Sequence, residues 1–132
     1  MRIFSNIITF LIFICFIVVF LSCKKNTENK IEGTWVTVSV TNPNVYEYQE
    51  WAFFSNNEKL YIVQKKIGST ALVPLSSSTY KIKAGLFSKT LTLSESLEVG
   101  YNGDWKINKL KKDQLILSIY SPGQVYLEFT KK

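Results

Sequence analysis

Catalysis needs side chains that move protons, attack carbonyls or hold metals, and this chain of 132 residues has few of them. It has no histidine, which removes the commonest general base near neutral pH and the commonest zinc ligand. Its two cysteines are Cys15 and Cys23. Ser76, Ser77 and Ser78 stand in a row without the G-x-S-x-G setting of a nucleophile elbow, and they read as loop residues. Glu47 with Glu50, and Glu95 with Glu98, are carboxylate pairs that could serve acid–base work or calcium. Neither pair lies in an aspartate-rich loop, so both read as solvated surface. The expectation is a chain that is not an enzyme and carries no cofactor or metal.

Aromatic residues are what remains. All three tryptophans and all seven tyrosines lie beyond residue 30. Such rings either fill a core or line a cavity with a few polar groups, and both outcomes stay open at this point. If a cavity forms, Trp35, Trp51, Tyr80 and Trp105 are expected to line it. Trp51, set among Tyr48, Gln49 and Glu50, is the residue expected at its mouth.

The elements that must carry these residues begin with an apolar leader. Met1-Arg2 is a short cationic start, and residues 3–21 are apolar except for Ser5, Asn6 and Thr9. Such a run is long enough to span a bilayer, and it also suits an export signal. Phe20-Leu21-Ser22-Cys23 separates the two. It resembles the lipobox of bacterial lipoproteins, in which a small residue precedes the cysteine that is lipidated and becomes the new N-terminus. Ser22 is small as required, while Phe20 stands where leucine is usual. Cys15 follows bulky Ile14 and would split the apolar run. The resemblance implies removal of residues 1–22 and acyl chains, palmitate among them, on Cys23. Two or three chains hold a protein on a membrane stably, where a single chain holds only marginally.

Residues 23–30 read as a flexible tether, polar and without periodicity. Residues 31–132 read as one β domain, with no sustained helical period. Strands are expected over residues 35–41, 46–54, 60–65, 79–83, 90–101, 104–108, 115–119 and 125–130. Residues 67–78 read as a loop. Asn56-Asn57 and Asn102-Gly103 read as hairpin turns, and Ser121-Pro122-Gly123-Gln124 as a type II turn. In the first strand, alternation puts Trp35 with Thr37 and Ser39, opposite Val36, Val38 and Val40. About eight sequential antiparallel strands favour an all-β up-and-down barrel, with a two-sheet sandwich as the alternative.

Gly33-Thr34-Trp35 at the start of the first strand resembles the G-x-W signature of lipocalins, where the tryptophan closes the barrel floor. Small lipocalin-like lipoproteins of Bacteroidetes are similar in three features. These are the opening Ile31-Glu32-Gly33-Thr34-Trp35, the strand ending Phe54-Ser55-Asn56-Asn57, and a late hairpin from Trp105-Lys106-Ile107 through Asp113-Gln114-Leu115. The barrel segment is shorter than in a typical lipocalin, and it lacks the disulfide and C-terminal helix often found there. The resemblance implies a binding module for a small apolar or amphipathic molecule in the cell envelope.

Charge bears on partners. Of 16 basic residues only Arg2 lies before Cys23, which leaves 15 against 10 acids, a formal +5. The lysines are scattered and no arginine follows Arg2, so nucleic acid is not an expected partner. The expected partners are the membrane, through the N-terminal lipid, and a small hydrophobic ligand; no protein partner is specified. A protein-interaction module using the barrel's outer face is the competing reading, and exposed Val36, Val38 and Val40 would favour it. Lys24 after the cysteine, rather than aspartate, implies the outer membrane. Glu28 is the lone acid of the tether, which implies a domain facing the periplasm.

Overall fold

Successive side chains of a strand face opposite ways, so alternating apolar and polar residues give each strand one buried and one wet face. The computed structural model, which describes residues 2–38, 46–120 and 123–132, places eight such strands in order. They are β1 (Gly33–Thr37), β2 (Tyr46–Phe54), β3 (Lys59–Lys66), β4 (Leu72–Ala84), β5 (Lys89–Ser94), β6 (Gly103–Leu110), β7 (Gln114–Tyr120) and β8 (Gln124–Lys131). Each pairs antiparallel with the next, and β8 returns to β1, closing the barrel. Closure removes the free edges of the sheet. The sandwich does not form.

The core is the barrel interior. Trp35 opposes Trp51 across β1 and β2, Leu91 opposes Trp105 across β5 and β6, and Leu115 opposes Phe129 across β7 and β8. All six are buried. In β1, Trp35 and Thr37 point inward; Val36 is half-buried on the outer face and Val38 is exposed. Val40 and Ser39 lie outside the described residues, as do Ser121 and Pro122 of the turn at residues 121–124.

One end of the barrel is closed by the helix α1 (Arg2–Ile31). Ile31 and Thr27 are buried there, and the Trp35 indole N–H donates to the Ile31 carbonyl at 2.7 Å. Gly33, at φ +114°, makes the sharp step from helix to strand. A Cβ there would meet the Lys131 side chain at 3.0 Å, and that same lysine lies 5.1 Å over the Trp35 ring. Residues 23–30, expected as a flexible tether, are helical. Thr27 explains part of the difference, because its hydroxyl bonds the Cys23 carbonyl and its methyl side is buried against the barrel. Residues 3–21 of α1 are exposed along their length, and the helix is long and apolar enough to cross a membrane.

Three further expectations change. Residues 72–78 belong to β4, not to a loop. The gap between β3 and β5 must be paired for the ring to close, and that need overrides the weak strand propensity of the serines. Pro74 is accommodated where the β3–β4 register shifts between Ile62 and Val63. Residues 90–101 are not one strand: β5 ends at Ser94, Glu95 turns at φ +57°, and Val99–Tyr101 is a 3₁₀ turn. Asn102-Gly103 is not a tight hairpin, because Asn102 is extended (φ −66°, ψ 140°) and its side chain instead accepts from the Ser96 N–H at 2.9 Å. At the β2–β3 turn Glu58, rather than an asparagine, takes positive φ, while Asn57 accepts from the Lys59 N–H.

Candidate functional site at the barrel mouth

β1 leaves the helix-closed end at Gly33 and runs toward the other end, so the barrel's mouth lies opposite α1. A bowl of about 310 Å³ opens there. Its apolar wall comes from β6, β7 and β8: Trp105, Ile119, Val125 and Leu127. Its polar wall comes from β2 and the β5–β6 connection: Gln49, Tyr101 and Glu98. Tyr46 completes the rim.

The floor is aromatic and fixed. Trp51 lies edge-on to Tyr101 at 5.5 Å and to Trp105 at 6.1 Å, and its centroid is 5.1 Å from that of Phe129. Edge-to-face pairs at these distances are favoured by the ring quadrupoles. The polar atoms are satisfied in a chain. The Trp51 indole donates to Gln49 Oε1 at 3.2 Å, and Gln49 Nε2 donates to the Tyr101 hydroxyl at 3.0 Å. The Trp105 indole donates to the Tyr101 carbonyl at 2.9 Å. Burial pushes the Tyr101 phenol up from its ordinary value, against the opposing effect of its Gln49 hydrogen bond. The phenol is therefore neutral at physiological pH, with a hydroxyl able to donate to a ligand.

The β5–β6 connection is held over the rim by a bond to β4 and by one within itself. Ser76 and Ser96 hydroxyls meet at 2.8 Å, and the Tyr101 N–H donates to the Glu98 carbonyl at 3.0 Å. Leu97 and Val99 project from it into solvent.

The four aromatic residues expected to line a cavity separate into two sets. Trp105 lines the bowl. Trp51 has no exposed surface and lies beneath it, so it is a floor residue and not the mouth residue expected from its polar neighbours. The reason is parity: Gln49, Trp51 and Phe53 share the inner face, while Glu50 faces out, buried beside Lys132, whose ammonium lies 2.9 Å away. Trp35 belongs to the helix-closed end. Tyr80 packs edge-on against Phe53 at 5.2 Å, away from the bowl, and its buried hydroxyl and that of Ser78 have no hydrogen-bond partner among the described residues. The sequence reading missed the bowl's hydrogen-bonding pair, Gln49 and Tyr101, and its aliphatic wall of Ile119, Val125 and Leu127. For Gln49 the available signal was a polar side chain on the apolar parity of β2.

Cys23 is half-buried on α1, and Cys15 is exposed. Among the described residues, no three His, Cys, Asp or Glu side chains gather as a metal site. The bowl can hold an apolar body against β6–β8 and bond a polar group at Gln49 and Tyr101. Comparison with known protein families, curated proteins and solved structures gives no match.

Proposed function

We propose that this chain is a membrane-anchored, lipocalin-like lipoprotein of the cell envelope whose barrel mouth takes a small amphipathic molecule. The observation that carries the reading is the two-sided bowl of about 310 Å³, at the lower end of ligand-site volumes. The fixed floor below Tyr101 limits the site to a ligand, or a ligand end, of modest size. An apolar body would displace water from Trp105, Ile119 and Leu127, and its polar end would meet Gln49 and Tyr101.

Native mass spectrometry of the full chain purified from envelope tests this. A retained small molecule is expected in the wild type. Val125→Trp, at the half-open rim, would fill the bowl without entering the core, and it should weaken retention by about tenfold or more, equivalent to ~1.4 kcal/mol. A wild type that carries no adduct, or a variant that carries it equally, would overturn the reading.

Anchorage has its own test. The exposed apolar run of α1 and Ser22-Cys23 support cleavage before Cys23 and acylation there. Intact-mass analysis is expected to give an acylated chain beginning at Cys23. Cys23→Ser should retain the leader, and a wild-type chain beginning at Met1 would sink the lipoprotein reading.

A second reading, an envelope protein-interaction module, has one observation in its favour. Val38, Leu97, Val99 and Tyr120 are large, exposed apolar side chains toward the mouth end. Cross-linking in intact cells that recovers only the monomer would exclude it.

A further inference from the structure

The hairpin tip between β4 and β5 is apolar where a soluble turn would be polar. Leu86 is 59% and Phe87 101% exposed, so Phe87 has no cover at all. The tip is also well defined. Ala84 pairs with Lys89, and the Gly85 N–H donates to the Ser88 carbonyl at 2.8 Å. Two large apolar side chains are thus held out on a short rigid turn.

Position supplies the second observation. Leu86 shares a concavity of about 170 Å³ with Cys15, Phe16, Val19 and Phe20 of α1. At about 1.5 Å of rise per residue, the stretch from Phe20 back to Phe16 lies roughly 5–10 Å beyond Cys23, on the leader side. If Cys23 marks the membrane surface, the tip reaches past that surface to the depth at which interfacial apolar groups sit.

Charge supplies the third. An outer groove of about 330 Å³ between the tip and β6 is lined by Lys89, Lys106 and Lys109, with no carboxylate among its lining residues. Lys24 and Lys25 follow Cys23 directly. Basic side chains flanking an apolar tip match a bilayer that carries anionic headgroups.

We infer that the Leu86-Phe87 tip is a second point of membrane contact, inserted among anionic phospholipids beside the anchor at Cys23. Anchor and tip together fix the barrel's orientation, with α1 toward the bilayer and the ligand bowl facing away from it. The inference rests on the membrane-anchored reading and not on a ligand in the bowl. It holds whether the leader stays as a helix or is replaced by acyl chains.

The test uses the full chain reconstituted into phosphatidylcholine–phosphatidylglycerol vesicles, with and without bromine on the acyl chains. Phe87→Trp reports on the tip, and Tyr120→Trp, exposed on β7 near the mouth, is the control. The native indoles are buried in the barrel and form a constant background. The indole added at position 87 is expected to emit to the blue and to be quenched about twofold by brominated chains, with none at position 120. Flotation with the vesicles but equal quenching at the two positions overturns the tip contact alone. Failure to float overturns anchorage and the tip contact together, and leaves the mouth reading untouched.

Discussion

Trp51→Ala is expected to cost about 3–5 kcal/mol, toward the top of the range for large-to-small core changes. A domain of this kind has only about 5–15 kcal/mol of total stability, so the variant should be close to unfolding. Trp51 is fully buried and touches the rings of Phe53, Tyr101, Trp105 and Phe129. The cost is high because the site cannot collapse. Its walls are strands bonded in a closed ring, and β1–β8 pairing at Thr37 and Phe129 completes the ring at this level. A hole left inside such a ring stays open. The change also removes the indole that donates to Gln49, which frees that amide to swing into the bowl. Trp51→Phe should lose much less, since it keeps most of the ring contacts. Urea unfolding checks both: the midpoint should fall with an unchanged slope, and a loss under about 1 kcal/mol for the alanine variant would contradict the floor role. The alanine variant should also regain stability when a small apolar compound such as benzene is added, because an apolar cavity stays dry and accepts such a guest.

Much of the barrel is legible from alternation alone. β6, β7 and β8 carry large apolar residues on one parity, such as Trp105 and Ile107 in β6, β2 does so at Trp51 and Phe53, and each forms where the pattern puts it. The strand that alternation misses is the first half of β4. Its inward residues there are Ser76 and Ser78, both buried, and small polar side chains carry no hydrophobic signal. They pair with Ile62 and Leu60 of β3, whose buried aliphatic side chains fill the interior beside them. The demand that places them comes from ring closure, which no local window contains. The misread residues 95–102 have the opposite cause. Leu97, Val99 and Tyr101 keep the parity of β5, but the first two are exposed and the chain has already turned at Glu95.

The bowl was legible only in fragments. Trp105 could be named from its strand, and the inward parity of Gln49 was readable in principle. Bringing them beside Tyr101, Ile119 and Leu127 requires five segments to meet, which depends on strand order and register across the closure. The depth of Trp51 follows from the same fact. Its sequence neighbours Gln49 and Glu50 suggest a wet setting, yet one is drawn into the indole's hydrogen bond and the other lies on the outer face beneath Lys132. Cys23 is the reverse case. Its proposed role rests on the residues around it in sequence, and the fold contributes the position of α1 relative to the barrel.

Tyr80→Phe should stabilise the protein near neutral pH and flatten its alkaline unfolding. The Tyr80 hydroxyl is buried without a partner, and a buried polar group left unpaired costs about 1–3 kcal/mol, so its removal should gain on the order of 1 kcal/mol. Burial, reinforced by Glu32, Glu28 and Glu58, pushes the phenol up to about 12 from 10.0. The folded state therefore holds this proton more tightly than the unfolded chain does. Stability from that difference is complete below about pH 10 and is lost as pH rises toward about 12, a total of about 2–3 kcal/mol. Lys65 and Lys132 are also raised, each chiefly by a hydrogen bond to a glutamate, and they push stability the same way over neighbouring pH values. Both lysines remain in the variant, so the difference between the two chains isolates Tyr80. Urea midpoints measured at about pH 9 and about pH 11 should diverge, with the wild type falling more steeply than Tyr80→Phe. Parallel curves would show that the hydroxyl is paired or hydrated in solution, and the alkaline sensitivity would then belong to the lysines.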